Sequence, residues 1–311
     1  MKAVILTDGK AGHESQSKAF ARALGLEAQI VKVRFRSPLH KLCSYFLDSI
    51  GIRTLALVEF PEGPAPEAEL YIGTGSGTFY AAKTLAKKRR GAAKCAVVLY
   101  PRGYHIASFD CILAPEFDNP PKRSNVITIP VNLVASDEEY YERGVAAFRE
   151  RHSSAGEVPA VAVIIGGPNK CSQMTPDWMH DQLANIFAEN DDCEKWVTTS
   201  RRTPPEVEAI VDNFPFDYKL IYSRDHFNPI PAFVSLARRL YVTAESTGML
   251  SEACSFGSSQ VYALNNLRDG RNKFRRFLET LVAAGYLGNS ARKADLSEQF
   301  AAAKKLCFPE T

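Results

Sequence analysis

The sequence has no large excess of charge of either sign. Lysine and arginine number 38, and aspartate and glutamate number 35, which leaves a formal net charge of +3. A nucleic-acid-binding domain carries a clear basic excess on the face that meets the phosphates. We therefore expect no nucleic acid among the partners of this protein.

Long apolar runs and paired cysteines are also missing. No run approaches the roughly 18 apolar residues of a transmembrane helix, and the short apolar run near the N-terminus is not followed by a signal-peptide cleavage site. The seven cysteines form no C-x-x-C pair and are odd in number, which is typical of reduced thiols in a cytoplasmic protein. No Cys/His cluster has zinc-ligand spacing and no D-x-D motif is present, so we expect neither a metal nor a separate cofactor.

What the sequence does contain is an alternation of short Val/Ile-rich runs with turns and helical stretches. At 311 residues the chain is long enough for two domains of roughly 150 residues each. Near-continuous apolar strands followed by helices predict parallel sheets built from βαβ units. The predicted strands are 3–6, 29–33, 70–72, 96–99, 111–113, 126–129, 161–165, 196–198, 219–222, 240–243 and 260–263.

The predicted domain boundary is the polar stretch 151–159, which contains Gly156 and Pro159. We predict an N-terminal Rossmann-like domain over 1–154 and a C-terminal one over 155–311. The basic tail at 268–308 is also predicted to be helical, and its last helices can pack back across the first domain.

The loop after the first strand is the first candidate site, because ligands of parallel sheets bind outside the carboxyl ends of the strands. It reads Asp8-Gly9-Lys10-Ala11-Gly12-His13 and opens a helix. Its glycines allow a tight turn, and Lys10 can meet an anion. His13 can accept a proton, because a helix N-terminus disfavours the imidazolium form. The alternative is a plain Asp-Gly turn before an amphipathic helix.

A second glycine-rich loop in the first domain runs from Gly73 through Thr74 and Gly75 to Thr78. It is G-x-G-x-G and not the dinucleotide G-x-G-x-x-G. The next strand is followed by Arg102, where an NAD site would have an acidic residue for the ribose. This argues against NAD and leaves NADP weakly open. The alternative is that the glycines serve helix–strand packing.

Two loops of the second domain have the same position after a strand. Gly166 and Gly167, followed by Asn169, can admit a phosphate or a sugar. The stretch 198–206 places Ser200, Arg201 and Arg202 before a helix, and arginine is the usual bidentate partner of phosphate. Within it, Thr203, Pro204 and Glu206 predict an N-cap, a first helical residue and a capping box. The alternative for the two arginines is a solvated pair.

The most specific loop is the stretch 243–254. A strand ends, Glu245, Ser246, Thr247, Gly248 and Met249 follow, and a helix begins. Hydroxyl groups and free amides at a helix N-terminus form an anion site. Glu252, about a turn and a half into this helix, can reach two adjacent hydroxyls such as those of a ribose. The alternative is that Ser246 is only a cap and Glu252 only a surface charge.

Taken together and in order, these loops resemble the mitochondrial-fission Elm family of plants and its bacterial relatives. The matching stretches are TDGKAGHESQ at 7–16, VIIGGPNK at 163–170, VTTSRRTP at 197–204 and VTAESTGMLSEACSFG at 242–257, with a looser match at 100–120. The sequence departs from the family pattern, which has Asp where Glu245 stands, Ser where Gly248 stands and Gly-Lys-Pro where 257–259 stand.

The resemblance implies an α/β fold of two Rossmann-like domains that face a central cleft, as in GT-B glycosyltransferases. It implies a nucleoside diphosphate sugar as substrate, bound by the second domain, and an acceptor on the side of the first. The implied catalytic residues are His13 and Asp8. The implied nucleotide- and phosphate-binding residues are Gly166, Gly167, Asn169, Ser200, Arg201, Arg202, Glu245, Ser246, Thr247, Gly248, Met249 and Glu252. The acceptor-side residues are Gly9, Lys10, Gly12, Gly73, Thr74, Gly75 and Arg102.

Three functions remain open at this point. The first is metal-independent glycosyl transfer, with His13 or Asp8 as general base and the two arginines beside the leaving diphosphate. The second is a non-catalytic nucleotide-binding or adaptor protein on the same scaffold. The third is a nucleotide-sugar epimerase, which would need no acceptor.

The segment 34–53 suggests a contact with the inner face of a membrane, and with it a lipid-linked acceptor. Its apolar residues at 39, 42, 46, 47 and 50 share one helical face beside Arg34, Arg36 and Lys41, as in interfacial helices. If this is a docking face, Phe35, Tyr45 and Phe46 should be exposed and close together. The alternative is a helix that packs on the sheet of the first domain.

Overall fold

The computed structural model describes residues 2–89 and 91–309. The chain forms two compact units, each described separately below. The first unit comprises the residues up to Ala135 together with those from Asp295 onward. The second unit is Ser136–Ala294. Both are α/β with parallel sheets, so the predicted fold class is confirmed.

The first unit contains a six-stranded parallel sheet in the order β2-β1-β5-β6-β7-β8. A small antiparallel pair, β3 and β4, lies outside it. The strands are β1 Ala3–Thr7, β2 Ala28–Lys32, β3 Arg34–Phe35, β4 Val58–Glu59, β5 Leu70–Thr74, β6 Lys94–Val98, β7 Cys111–Pro115 and β8 Val126–Ile129. The helices are α1 Ala11–Ala23, α2 Pro38–Ser49, α3 Phe79–Lys88 and, from the C-terminal part of the chain, α10 Ser297–Cys307, with 3-10 turns at Leu55–Leu57, Ile106–Ser108 and Glu116–Asp118.

Both faces of this sheet are buried. In β1, Val4 and Leu6 belong to one apolar cluster, and Ala3 and Ile5 belong to the other. Successive side chains of a strand point to opposite faces, so a strand with helices on both sides must be apolar throughout. This explains the continuous apolar runs in the sequence.

The second unit contains a five-stranded parallel sheet in the order β11-β10-β9-β12-β13. Its strands are β9 Ala160–Ile164, β10 Glu194–Thr198, β11 Tyr218–Leu220, β12 Arg239–Thr243 and β13 Gln260–Leu264. Its helices are α4 Glu138–Arg149, α5 Pro176–Glu189, α6 Pro205–Asn213, α7 Ile230–Leu236, α8 Thr247–Ser255 and α9 Lys273–Ala283.

Each sheet has one point where the strand order reverses. In the first unit β1 lies between β2 and β5, and in the second unit β9 lies between β10 and β12. Connections that leave on opposite sides of a strand open a crevice at its carboxyl end, which is where α/β proteins bind ligands. The loops after β1 and β5, and those after β9 and β12, therefore hold the candidate sites.

The boundary between the units differs from the sequence prediction of 154/155. Helix α4, which precedes the polar stretch, belongs to the second unit because it packs on α7. A Cβ atom at Gly144 would lie 2.4 Å from the Cβ of Pro231, so only a glycine allows this approach. Phe148 contacts the rings of Trp196 and Phe233, with centroids 5.1 and 5.6 Å apart. Aromatic burial, and not the polarity of the linker, decides where α4 belongs.

The first unit is discontinuous in sequence. Helix α10 contacts β6, β7 and β8 of the first sheet, and its Ala303 and Cys307 are buried in the same cluster as Ala96 and Leu113. The C-terminal helix thus covers part of the sheet face that α1 leaves open. Helix α9, by contrast, belongs to the second unit.

Candidate functional site

In the first unit, the loop after β1 pairs a histidine with an aspartate. His13 lies in the first turn of α1, and its Nδ1 is 3.1 and 3.2 Å from the two carboxylate oxygens of Asp8. A carboxylate can only accept, so Nδ1 carries a proton, and in the neutral imidazole Nε2 is left with a lone pair. The aspartate thereby orients the ring and selects the tautomer in which Nε2 is free to accept a proton. Of the two predicted bases, the geometry favours His13 and gives Asp8 the orienting role.

The glycines of the loop after β5 make room for this pair. A Cβ atom at Gly75, whose φ is +81°, would lie 2.3 Å from the His13 ring, and one at Gly77 would lie 2.8 Å from the Cβ of Asp8. A Cβ atom at Gly73 would likewise lie 2.7 Å from the hydroxyl oxygen of Thr78. Close approach of the two crevice loops thus explains the G-x-G-x-G pattern without a dinucleotide.

The other predicted acceptor-side residues fall into two groups. Lys10 is exposed and its ammonium lies 3.4 Å from Asp8, while Gly9 allows the turn with a φ of +80° and Gly12 has open space beside it. Thr74 is buried, with its hydroxyl 2.7 Å from that of Ser17, and therefore serves packing.

Two further side chains near the loops of this unit have distinct partners. Arg102 is exposed and donates to the main-chain carbonyl of Asp118, not to the His13 loop. Lys41, which the sequence analysis linked only to a membrane surface, donates from its ammonium to the Ser76 hydroxyl at 2.8 Å. The signal that could have revealed Lys41 is absent from the sequence, because α2 and the loop after β5 are far apart in the chain.

In the second unit, the two glycine amides after β9 are already used inside the protein. The Gly166 amide donates to the Thr243 hydroxyl at 2.8 Å, and the Gly167 amide donates to the Glu245 carboxylate at 2.7 Å. The same carboxylate accepts from Asn266 at 2.7 Å. These glycine amides are therefore not left over for a phosphate, in contrast to the sequence interpretation.

Glu245 forms a structural cross-link inside the second unit. It is only 2% exposed, and a Cβ atom at Gly166 would lie 2.1 Å from its Oε1. Its carboxylate holds the ends of β9, β12 and β13 together. Of its partners, Thr243 begins the stretch 243–254 but was given no role there, and Asn266 was not among the predicted site residues because it stands in no glycine-rich motif.

The loop after β10 also differs from the prediction. The Thr203 hydroxyl donates to the Gly166 carbonyl at 2.6 Å and accepts from the Ser200 amide at 2.8 Å, so Thr203 is not a helix cap. Helix α6 begins at Pro205 because a residue that precedes a proline, here Pro204, is held in the extended region. The predicted capping box therefore does not form.

The two arginines of this loop are both exposed but differ in their contacts. Arg202 donates to the Gly167 carbonyl at 3.1 Å, and a Cβ atom at Gly167 would lie 2.1 Å from the Arg202 carbonyl oxygen. Asn169 turns back on its own loop and accepts from the Cys171 amide at 2.8 Å. Arg201 and Arg202 are therefore available at the surface, whereas Asn169 shapes the loop.

The N-terminus of α8 is the open part of the second crevice. Its N-cap residue Ser246 makes no side-chain hydrogen bond to the first turn. Gly248 is exposed, and a Cβ atom there would meet no heavy atom within 4 Å. The first-turn amides of Thr247, Gly248 and Met249 point out of the helix, at the positive end of its dipole. This arrangement can bind an anion.

Glu252 lies further along α8 in an unusual environment. Burial raises the pKa of its carboxyl to about 7, and a hydrogen bond from Tyr141 opposes this rise in pKa. The Tyr141 hydroxyl donates to Glu252 Oε1 at 3.2 Å, and the Tyr141 ring packs on Phe256 with centroids 4.6 Å apart. Tyr141 was not among the predicted site residues, because it lies on α4, more than a hundred positions before Glu252 in the chain.

The segment 34–53 forms the helix α2 but not the predicted aromatic cluster. Phe46 is 65% exposed, whereas Phe35 and Tyr45 pack against the apolar core. The expectation that all three rings lie together on the surface was therefore wrong. The helix does pack on the first unit, as the alternative expected, but with the side that carries Ser44, Tyr45 and Asp48. The apolar side chains of Leu39, Leu42 and Phe46 stay exposed.

Metal-binding clusters and membrane-spanning helices are both absent from the described residues. No group of three or more His, Cys, Asp or Glu side chains there could hold a metal ion. Over the same residues, no helix is long and apolar enough to cross a membrane. All seven cysteines are free thiols, and five of them are buried.

Solved structures with the same fold define the class. The protein is similar to the S. aureus MnaA-UDP co-structure, with a TM-score of 0.51 and 13% identity over 99% of this chain and 88% of that one. It is also similar to a putative UDP-N-acetylglucosamine 2-epimerase from Listeria monocytogenes, with a TM-score of 0.55 and 12% identity over 100% of this chain and 97% of that one. A third similar structure is UDP-GlcNAc 2-epimerase from Neisseria meningitidis bound to UDP-GlcNAc, with a TM-score of 0.50 and 11% identity over 98% of each chain. The protein therefore has the GT-B-like α/β fold of these structures.

Within that class the chain belongs to the mitochondrial fission ELM1 family, whose model matches residues 11–307. This confirms the resemblance inferred from the loops. A curated relative, the uncharacterized protein RP120 of Rickettsia prowazekii (strain Madrid E), is 32% identical over 127 residues. That match covers 39% of this chain and only 36% of the relative.

Proposed function

We propose that this protein is a metal-independent glycosyltransferase of the GT-B type that uses a nucleoside diphosphate sugar. The observation that carries the proposal is the N-terminus of α8, which has no side-chain cap and begins at the crevice of the second sheet. A diphosphate there would accept from the amides of Thr247, Gly248 and Met249 and gain from the helix dipole. Arg201 and Arg202, exposed after the neighbouring strand, would neutralise the leaving diphosphate.

Glu252 would bind the ribose of the nucleotide. Tyr141 occupies one oxygen of its carboxyl group, and the other can accept from a ribose hydroxyl. A hydrogen bond to a charged acceptor contributes about 1.5–3 kcal/mol. Because burial raises the pKa of Glu252 to about 7, its ionised, better-accepting form is gained as the pH rises through neutrality.

His13 would be the base that takes the proton of the acceptor hydroxyl. Its free Nε2 and the carboxylate of Asp8 behind it match the orientation of a general base. Lys10, beside Asp8, would attract an acceptor that carries negative charge. The attacking hydroxyl would then displace the nucleoside diphosphate from the sugar carbon.

Epimerisation of a sugar nucleotide is the second candidate. Two structures with this fold are named as UDP-N-acetylglucosamine or UDP-GlcNAc 2-epimerases. The same nucleotide site would serve, and a base such as His13 would act on the sugar itself, without an acceptor. Incubation with UDP-GlcNAc alone separates the two activities, because only the epimerase produces a new sugar nucleotide.

The nucleotide site is tested by calorimetric titration with UDP, GDP and ADP and their sugar conjugates. We expect at least one nucleoside diphosphate to bind, and Glu252→Ala to weaken that binding about 10- to 150-fold. Glu206→Ala is the matched control, since Glu206 is an exposed glutamate in the first turn of the neighbouring α6. Equal affinity in folded wild-type and Glu252→Ala proteins would refute the proposed site.

Turnover is tested separately from binding. The protein is incubated with the sugar conjugate of the nucleotide that binds, with and without a lipid extract as a source of acceptors. Release of nucleoside diphosphate that depends on the extract supports transfer. Binding without release or epimerisation would instead support a non-catalytic nucleotide-binding protein.

A further inference from the structure

Helix α2 is turned with its apolar residues outward. Leu39, Leu42, Phe46 and Ile50 follow one another at spacings of three and four residues and so lie on one side of the helix. Leu39, Leu42 and Phe46 are 65%, 66% and 65% exposed. We call these four residues the outer face of α2. Five of the eight exposed large apolar side chains among the described residues lie between positions 39 and 52, so this exposure is concentrated and not scattered.

Ionic contacts fix the inner side of α2. Asp48 is 2% exposed, and its carboxylate lies 2.5 Å from the Lys83 ammonium and 2.9 Å from the Arg53 guanidinium. It also accepts from the His105 amide at 2.6 Å. A buried carboxylate with two cationic partners cannot turn toward solvent without leaving those charges unpaired.

A second set of contacts one turn earlier holds the same side. The Ser44 side chain is buried, with its hydroxyl 2.9 Å from that of Tyr104. The Tyr45 ring stacks on Tyr104 with centroids 4.5 Å apart. The helix therefore cannot rotate about its axis to bury Leu42 or Phe46, and the packing of its inner side keeps the outer face exposed to solvent. Contiguous exposed apolar surface of this kind marks an interaction site.

Basic residues outnumber acidic ones in the segment that contains the outer face. Within 34–53 the one acidic residue is Asp48, which faces inward. Arg34 is paired with Glu59, whereas Arg36 is exposed with its guanidinium on the Ala56 carbonyl. Asp48 and the partly exposed Glu59 are both held in ion pairs, so the segment combines an apolar helical face with a net positive charge, and this combination complements an anionic bilayer surface.

We propose that the outer face of α2 docks in the interfacial region of an anionic membrane. A second copy of the chain fits less well. A 12-residue helix is about 18 Å long and about 10 Å wide, so one face covers roughly 180 Å², while a stable dimer buries about 800 Å² per partner. A bilayer has no such requirement, because it accepts a single amphipathic helix.

Docking would bring lipid head groups toward the crevice of the first unit. Lys41, on α2, donates to Ser76, and the adjacent Gly75 contacts the His13 ring. The surface proposal does not depend on the proposed function, since vesicle binding is measured without any nucleotide. If both hold, the acceptor is one that resides in the membrane.

The test is co-sedimentation with vesicles of phosphatidylcholine, with and without phosphatidylglycerol, at low and at physiological salt. We expect binding to the anionic vesicles. Leu42→Gln/Phe46→Gln should reduce it at least about tenfold without loss of thermal stability, because both side chains are exposed. Val282→Gln is the matched control, since Val282 is 64% exposed on α9 of the second unit, and should bind as the wild type does.

A charge variant gives an independent readout. Arg36→Gln should weaken binding to anionic vesicles about fivefold and leave that to phosphatidylcholine unchanged. The proposal is overturned if wild-type protein stays in the supernatant with anionic vesicles at low salt, or if Val282→Gln loses as much binding as the double variant. A concentration-dependent dimer that the double variant abolishes, without vesicle binding, would identify a second copy as the occupant instead.

Discussion

The crevices of the two sheets share a topology but differ in chemistry. In the first unit, Gly75 and Gly77 have no Cβ atom and so allow their loop to approach the histidine–aspartate pair closely. In the second, the glycine amides at 166 and 167 are occupied by Thr243 and Glu245, and the open donors are those at the start of α8. The same motif type, glycines after a parallel strand, thus makes room for side chains in one unit and forms internal hydrogen bonds in the other.

This difference teaches that a glycine pair after a strand does not by itself define a phosphate site. What matters is whether a neighbouring side chain already takes the amide hydrogens. In the second unit a buried carboxylate does so, and the anion site is left to the helix terminus. The predictions below test this assignment of roles, beginning with the largest expected effect.

Removal of the first-unit base should have the largest effect. His13→Ala should lower turnover about 10²- to 10⁴-fold, as expected for loss of a general base, and leave nucleotide affinity unchanged. Steady-state kinetics and titration of the same preparation measure the two quantities. Asp8→Asn should lower turnover less, since the ring keeps its place but loses its orienting carboxylate. Loss of nucleotide affinity with an unchanged rate in the bound complex would contradict this division of labour.

Removal of the second-unit cross-link should reduce stability. Glu245→Ala leaves the Gly167 amide and the Asn266 side chain buried without their acceptor, at a cost of about 1–3 kcal/mol for each group. We expect the free energy of unfolding to fall by about 3 kcal/mol in urea denaturation. Glu206→Ala, at an exposed site, should change it by less than about 0.5 kcal/mol. If Glu245→Ala is as stable as the wild type, the Glu245 carboxylate does not hold the Gly167 amide and Asn266 in the folded protein, and the glycine amides are free to bind a ligand.

The raised pKa of Glu252 predicts a pH dependence of stability. Between its ordinary pKa of 4.5 and its folded pKa of about 7, the folded chain holds a proton that the unfolded chain releases. The free energy of unfolding should therefore decrease as the pH rises through this window, by about 1–3 kcal/mol relative to Glu252→Gln. Urea denaturation of both proteins at a series of pH values measures the difference. A constant difference across the window would show that Glu252 titrates normally.

Removal of the Tyr141 hydroxyl should have the smallest effect. Its hydrogen bond lowers the pKa of Glu252, so Tyr141→Phe should move the midpoint of the pH dependence upward. Nucleotide affinity at neutral pH should fall about fivefold, the equivalent of one hydrogen bond of about 1 kcal/mol. Titration at several pH values measures both effects. A lower affinity with an unmoved midpoint would mean that Tyr141 supports the fold of α4 and not the carboxyl group.

Much of the fold could be predicted from the sequence, but the hydrogen bonds between polar groups inside each unit could not. The strand after residue 160 and its Gly-Gly turn were predicted correctly, because a doubly buried strand is continuously apolar. The partner of that turn, Glu245, was predicted to lie at the phosphate, because sequence spacing does not show which way a side chain points. The start of α6 was misplaced by one residue, since the proline at 205 constrains the residue before it.

The sequence by itself determined the alternation of strands and helices, the family and the loops that carry polar groups, because these depend on local patterns. The return of the chain's last helices to the first domain was expected from the sequence, but only the tertiary structure decided that α10 alone makes it and that α4 joins the second unit, where Phe148 is buried against Trp196 of a distant strand. It also decided the orientation of α2. The periodicity of Leu39, Leu42 and Phe46 predicts a helix but not its rotation, and the burial of Asp48 between Lys83 and Arg53 turned the apolar face outward. A buried carboxylate held by two cations is a stronger constraint on this helix than the apolar surface it leaves in water.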